Sequence, residues 1–486
     1  MANAGSNCLT WTRCLRLSLG LVGLAAAVAA CTPAPQEPAA SVGQPEGWAD
    51  DLALNVPVDL NPDPDIVEIE LDARVAEVEF LPGQSTPAWT YGGTVPGPLI
   101  RAKVGDRVIV NFTNHLPEGT SIHWHGMRVP NAMDGVPGVT QDPVAPDGSF
   151  RYEFVVPDAG TFWYHPHINS SAQVGWGMYG PIVVEDPDDP EEFGDDLVLV
   201  LSDMSLTDLG ELYPADNGGE FGDLFGREGT VLLVNGRVMP TLKARAGKPQ
   251  RWRVINAARA RYYNVRMPGH RLTRLGGDAG LAARSEEIYN VVIVPGERAD
   301  LVFTPSDDAE ATDVLQWVPV DRGFSSTFNR SREPMMNLEL VDLPAVIPPE
   351  IPTELKVIEP VDITGAVENT FEMTIDTNFR NEVVMGINGI PYWNVVPVEA
   401  HTNEPQIWHL KNPTVFAHPF HLHGYFFQVL DDSRIPEWKD TVDLPAESEL
   451  SIAVAFDERP GTWMYHCHIL DHAESGMMGL VRVVAD

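Results

Sequence analysis

One segment recurs three times along the chain, and this recurrence limits the fold more than any other feature. The copies are YGGTVPGPLIRAKVGDRVIVNFTN at 91–114, VNGRVMPTLKARAGKPQRWRVIN at 234–256 and INGIPYWNVVPVEAHTNEPQIWHLKN at 387–412. Each has a Gly-containing turn, a Pro, a short extended run, a second turn, an alternating strand and a closing Asn. Gly105 to Asn114, Gly247 to Asn256 and Asn403 to Asn412 each span nine positions, and the second turns lie 142 and 156 residues apart. A repeat at that spacing sets a domain length, and 486 residues accommodate about three such domains.

The repeated unit is built of strands. Val108, Val110 and Phe112 alternate with Arg107, Ile109 and Asn111, as Tyr152, Phe154 and Val156 alternate with Arg151, Glu153 and Val155. Period-two alternation marks half-buried antiparallel strands, and long helical periodicity is missing. The expected fold is all-β, with three β-sandwich domains in tandem over 59–186, 197–342 and 355–486. An acidic, Pro-broken linker, Asp186–Asp196, separates the first two. The Pro-rich stretch 343–361, which cannot pair as a central strand, separates the last two.

The chain opens with Arg13 and Arg16 followed by an apolar run, Leu17 to Ala30, of signal-peptide length and short for a membrane span. Val28-Ala29-Ala30-Cys31 resembles a bacterial lipoprotein processing site. Residues 1–30 are therefore expected to be a leader and 31–58 a Pro/Ala-rich tether. Arg13 and Arg16 are not adjacent, so twin-arginine export is not indicated. The expected location is periplasmic or cell-surface, with Cys31 lipidated and the membrane reached only through that anchor. Of the four cysteines, Cys8 and Cys14 would leave with the leader and Cys31 would carry lipid. Cys467 is then a thiol without a disulfide partner in an oxidising compartment, which a metal ligand would occupy.

Charge excludes one function class. A net charge of −37 with no basic stripe rules against nucleic acid as a partner. The acidity reads as solubility or adaptation to a salty medium; attraction of cationic substrates is the functional alternative.

Ten of fourteen histidines fall in four clusters: His123 and His125; His165 and His167; His418, His421 and His423; His466, His468 and His472. The clusters are internally duplicated. GTFWYHPH (160–167) parallels GTWMYHCH (461–468), and SIHWHG (121–126) parallels PFHLHG (419–424), whereas the matching middle segments YYNVRMPGH and VLQWVPV lack the pairs. Residues i and i+2 of a strand share a face, so each His-x-His pair can offer two imidazoles to one cluster. If the outer domains meet face to face, eight imidazoles converge on three ions. Cys467, between His466 and His468, then faces the other way and can hold a separate ion wired to the cluster through short backbone paths. His418, Cys467, His472 and Met477 form a blue-copper ligand set, with Met478 the alternative axial residue. His115, His270, His401 and His409 are read as surface or structural.

These four clusters resemble the hallmark of the multicopper oxidases, from about residue 60 to the C-terminus. The resemblance implies three cupredoxin-like Greek-key domains and four copper ions, one type 1, one type 2 and two type 3. It implies type 2 ligation by His123 and His421, type 3 ligation by His125, His165 and His468 and by His167, His423 and His466, and type 1 ligation by His418, Cys467, His472 and Met477. Dioxygen and a small reductant would be the partners, the reductant being oxidised one electron at a time near the type 1 site and dioxygen reduced to water at the cluster. Asp134, nine residues after His125, matches the family's proton-carrying Asp; its other reading is a turn residue in Met133-Asp134-Gly135. Where several bacterial relatives carry a Glu after the last type 1 His, this chain has Ala473, with Glu474 one residue on. With only 14 Met and no dense Met run, a laccase-like oxidase of phenols or aromatic amines is favoured over a Cu(I) or other metal-ion oxidase. A non-catalytic copper-binding scaffold is the remaining alternative. Three complete domains build the cluster without a second copy, so a monomer is expected.

Overall fold

A computed structural model describes residues 43–306, 312–323, 330–377 and 383–485. The expected leader and Cys31 lie outside the described residues. No helix among them is long and apolar enough to cross a membrane.

The strands form six sheets, two for each third of the chain. In the first third, Gln84–Tyr91, Ile66–Leu81, Arg107–Asn114 and Ser149–Val155 make one sheet, and Ile100–Lys103, Gly180–Glu185, Gly160–His165 and His123–His125 the other. The last third repeats the plan with five strands in each sheet. His418–Leu422 and Gly461–Cys467 sit side by side there, as His123–His125 and Gly160–His165 do in the first third. The middle third has the same scheme in sheets of six and five strands. Each sheet mixes parallel and antiparallel neighbours, Ile66–Leu81 running parallel to Arg107–Asn114 and antiparallel to Gln84–Tyr91. Val108, Val110 and Phe112 are buried in the first core with Tyr152 and Phe154, while Ile109, on the alternate face of its strand, is buried as well. Trp252 anchors the middle core and Trp408 the last.

The closing Asn of each repeat does the same job three times. Asn114 Nδ2 donates to the carbonyls of Glu118 and Val144, and its Oδ1 accepts from Leu116 N. Asn256 does this with Arg261, Ile293 and Ala258 N, and Asn412 with Phe416, Leu444 and Thr414 N. All three side chains are buried. The amide, with two donors and an acceptor, satisfies backbone groups of a loop that has no ladder to join. In the outer thirds that loop leads directly into the His-bearing strand, so the Asn fixes where the strand starts.

Part of the expected tether is corrected. Trp48, Ala49 and Leu52 pack on the middle core, Lys243 N donates to Trp48 O, and Leu99 N of the first third donates to Asn55 O. Trp48 and Leu52 supply apolar surface that a solvated linker would leave in water, which a Pro/Ala-rich composition count does not register. The Pro-rich connector also lies on the middle third, where Leu355 N donates to Ala283 O and Ser285 N to Thr353 O.

Asn256→Ala should leave a buried N–H and two buried carbonyls unpaired, at about 1–3 kcal/mol for each group that water cannot reach. A clear drop in the denaturation midpoint is expected; an unchanged midpoint would mean that water replaces the amide.

Candidate metal centre

Antiparallel pairing aligns the ligand strands. His123 lies opposite His165, and His421 opposite His466. Side chains two apart therefore leave each strand pair on one face, and the two faces meet. His123 stacks on His423 and His125 on His421, each with ring centroids 3.8 Å apart. His165 is 5.6 Å from His468 and His167 is 5.2 Å from His466. Every one of these contacts joins the first third to the last, and the first His of one pair always meets the second His of its counterpart. That pattern is a local two-fold relation between the outer domains.

Two aspartates obey the same relation. Asp134 accepts from His123 Nδ1 at its carbonyl (2.8 Å) and lies 3.0 Å from His423 Nδ1 with its carboxylate. Asp440 accepts from His421 Nδ1 at its carbonyl (2.9 Å) and lies 3.3 Å from His125 Nε2 with its carboxylate. The outer nitrogens of His165 and His466 donate to the carbonyls of Pro166 and Cys467. The inner nitrogens behave oppositely: His123 Nε2, His125 Nδ1, His165 Nε2, His421 Nε2 and both nitrogens of His468 are buried without a protein partner. Buried polar atoms without partners are costly unless something fills the space between them. Imidazoles anchored on one nitrogen and bare on the other are how proteins hold metal ions. The donor set therefore fits a copper cluster.

The ligating atoms of His167, His423 and His466 lie within 4.8 Å of one another, matching one trio expected from the family resemblance. Those of His123, His125 and His165 do so too, as do those of His123, His421 and His423, so His123 stands between two groups. His468 faces His125 across 4.8 Å between ring centroids.

Behind His466 and His468, Cys467 points away from the cage. Its Sγ lies 3.5 Å from His418 Nδ1 and 3.6 Å from His472 Nδ1, and those two nitrogens are 3.1 Å apart. The outer nitrogens are held by Thr414 Oγ1 and by the carbonyl of Leu224. Met477 is buried in the same core as Cys467 and its carbonyl accepts from Cys467 N, while Met478 is half-buried at the start of the last strand, opposite His466. Among the described residues Cys467 is the one cysteine, and it is free.

Burial, and then mutual repulsion, lowers the proton affinity of His125, His165, His167, His418, His423, His466 and His468 well below the ordinary range. His421 is lowered too, and burial, assisted by the charge of Arg322, brings His472 down to about 3. Burial pushes the Cys467 thiol strongly up. Neutral imidazoles are the form that binds metal, and a cation replaces the thiol proton when it binds. For Asp440 burial acts upward, but the Arg298 guanidinium and the hydrogen bonds of His125 and His421 reverse it and hold the carboxyl well below the usual range.

Asp134 stands in contact with both halves of the cage, and its Oδ1 has no hydrogen-bond partner. Glu474 stands elsewhere: it lies at the end of a short helix (Leu470–Glu474), and its Oε1 accepts from Ser170 N and Oγ, three residues beyond His167. His115 pairs with Asp147, His270 with Asp313 and His409 with Glu368, away from the cage. Three functional positions were not singled out from the sequence. Asp440 has no repeat-based or spacing signal, because its counterpart Asp134 follows its His pair while Asp440 follows its own by a different interval. Leu224 and Asp471 act through a carbonyl and through inter-domain pairing. Asp471 accepts from Ser171 Oγ and from Arg227 N and Nη1, joining the three domains behind His472.

Comparison with known proteins finds multicopper oxidases. Family models described as multicopper oxidase match residues 72–189, 195–314 and 355–486, together more than half of the chain. A multicopper oxidase of Mycobacterium tuberculosis is 30% identical, over 82% of this chain and 83% of its own. A Campylobacter jejuni multicopper oxidase described as a metallo-oxidase superposes with a TM-score of 0.80 at 27% identity, covering 89% of this chain and 94% of its own. A laccase of Pediococcus acidilactici gives 0.75 at 27% identity, covering 89% and 93%.

The depressed histidines give the copper-free chain a pH signature. Above about pH 6.5 they are neutral whether folded or unfolded; below it the unfolded chain takes up protons that the folded chain refuses, so stability falls as pH falls. The urea midpoint of copper-free protein should drop steadily between about pH 7 and about pH 5. A flat midpoint across that window would mean the imidazoles are not held neutral.

Proposed function

This chain belongs to the multicopper oxidase family, and from that premise we propose that it couples one-electron oxidation of a small reductant to the four-electron reduction of dioxygen to water. The observation that carries the proposal is the strand pair bearing His466, Cys467 and His468, which presents imidazoles to one face and the thiol to the other. Bound copper would supply the electron acceptance at His418, Cys467, His472 and Met477 and the dioxygen chemistry at the eight-imidazole cage.

Every other part of the cycle falls to the chain itself. Cys467 links the two sites through its own backbone, and its carbonyl accepts from His466 Nδ1 at 2.9 Å, a second short path to the cage. Keeping the sites apart lets the reductant give up its electron without meeting dioxygen. The family's division of ligands, with His123 and His421 on one ion, His125, His165 and His468 on the second and His167, His423 and His466 on the third, is adopted here. Asp134 is assigned the proton delivery: it touches His423 and has a bare carboxylate oxygen. Glu474, with Ser170 as its hydrogen-bond partner, is assigned the outer step, taking protons from water at the exposed end of the helix Leu470–Glu474.

For the reductant we adopt phenols and aromatic amines, a laccase-like range supported by the lack of a dense Met run in the sequence and by likeness to a laccase structure. One observation favours the second reading, oxidation of Cu(I) or another metal ion. His472 is 1% exposed, and the helix Gly219–Phe225 lies over it, with Leu224 O accepting from Nε2 at 3.1 Å. The imidazole edge is therefore covered, and the covering helix carries two carboxylates, Glu220 and Asp223, the second paired with Arg227, a surface better suited to a cation than to an aromatic ring. Export to the periplasm or cell surface, attachment through lipid at Cys31 and a monomeric state complete the proposal; they rest on the leader-like run and on three domains within one chain.

Oxygen uptake by the copper-loaded protein, measured with a phenol and separately with Cu(I), tests the function: uptake with either supports an oxidase and names its reductant, and none with either leaves a copper-binding scaffold. Asp134→Asn should slow oxygen uptake by roughly a hundredfold or more while the blue absorption stays intact. Unchanged turnover would remove Asp134 from proton delivery.

A further inference from the structure

The two-fold relation between the outer domains is broken by one residue from the domain that carries no copper ligand. Arg298 begins the middle-domain strand Arg298–Phe303 and is fully buried. All five of its guanidinium N–H groups have acceptors. Nε donates to Thr161 O of the first domain (2.9 Å). Nη1 donates to Gly296 O (3.0 Å) and Asp440 Oδ1 (2.8 Å), and Nη2 to Asp278 O (2.8 Å) and Asp440 Oδ2. Arginine in this planar, bidentate arrangement fixes the plane of the carboxylate as well as its position.

That plane matters because of what lies on its other side. Asp440 Oδ1 is 3.3 Å from His125 Nε2 and 3.4 Å from His421 Nδ1, and it accepts from Thr441 Oγ1 at 2.8 Å. Thr441 Oγ1, which donates its proton to Asp440 Oδ1, also lies 3.3 Å from His125 Nε2, so both neighbours of Nε2 are acceptors. The proton of His125 therefore sits on Nε2, and Nδ1 is the buried nitrogen without a protein partner. His123, His165 and His421 turn Nε2 inward instead. The backbone is shaped for the same contact. Gly126, at φ +83°, would drive a Cβ to 2.3 Å from Arg298 Nη2, and a Cβ at Gly296 would come within 2.8 Å of His468 and 3.0 Å of His125. Glycine at these two positions lets the guanidinium and the middle-domain turn reach the imidazoles.

We propose that Arg298 is a positioning residue for the copper cluster: through Asp440 it fixes the His125 tautomer and ring plane, so the middle domain sets the geometry of a site to which it gives no ligand. The inference rests on the cage holding copper, as proposed above. On the opposite side Asp134 has no such guanidinium among the described residues; its Oδ2 lies 3.0 Å from His423 Nδ1, and its Oδ1, which has no hydrogen-bond partner, lies 3.4 Å from His123 Nδ1. The two symmetry-related aspartates thus differ: a guanidinium fixes one, and only imidazoles face the other.

The test compares wild type, Arg298→Met, Arg298→Lys and Asp440→Asn after copper loading, by copper count, blue absorption and the EPR spectrum of the non-blue copper. The blue site, held by other residues, reports folding within the same molecule. Arg298→Met and Asp440→Asn are expected to keep the blue absorption but to lose at least half of the cluster copper or to shift the EPR parameters of what remains. Arg298→Lys, which keeps the charge but not the fork, should recover copper with an EPR spectrum still displaced from wild type. A full copper count with a wild-type spectrum in Arg298→Met overturns the inference. So does loss of the blue absorption in step with cluster copper, which would make Arg298 a general structural residue. If Arg298→Met does not fold, the Arg298→Lys spectrum decides: displaced supports, identical to wild type overturns. A wild-type chain that binds no cluster copper sinks the functional reading itself, a result distinct from all of these.

Discussion

Side chains one residue apart on a strand leave on opposite faces, and side chains two apart share one. Everything at this centre depends on that. It puts His466 and His468 into the cage and Cys467 behind them, joined by the shortest link a chain can offer. It also makes the same His-x-His triplet usable four times, because any strand pair facing the domain junction delivers two imidazoles to the same side. A helix would place residues two apart on divergent faces and could not do this with so compact a motif.

The outer domains bring the eight imidazoles of the cage together, and the middle domain meets them with buried charges. Arg298 meets Asp440 beside the cage, Lys439 bridges Asp278 and Glu297 next to it, and Arg227 meets Asp471 behind His472. Buried charges are tolerated here because each has several partners. An apolar interface would hold the domains together as well, but it would leave the orientation of imidazole rings unset. Ionic groups with fixed hydrogen-bond directions define the ring planes, and a cluster of ions sharing eight ligands needs those planes defined.

Much of this was legible in the sequence, for a stated reason. Repeats, strand alternation and His-x-His spacing are local patterns, and the duplication between 121–126 and 419–424 carries the domain-scale message as well. Less legible were contacts made across domains by residues with no motif around them. Asp440 sits in an ordinary run, Trp-Lys-Asp-Thr, and Arg298 in a turn-and-strand that resembles many others. Leu224 takes part through its carbonyl, which any residue type would provide. Composition rich in Pro and small residues marks the segment after residue 43 as a tether, yet Trp48 and Leu52 pack on the middle core and backbone hydrogen bonds at Trp48 and Asn55 hold it there. Glu474 was reached by spacing alone, and spacing cannot say that its partner is Ser170 rather than an imidazole.

Anomalous scattering at the copper edge, from crystals of the copper-loaded chain, addresses the centre most directly. Three peaks are expected inside the ring of imidazoles contributed by His123, His125, His165, His167, His421, His423, His466 and His468, and a fourth among His418, Cys467 and His472. An empty ring beside an occupied Cys467 site, or copper bound only at the protein surface, would contradict it.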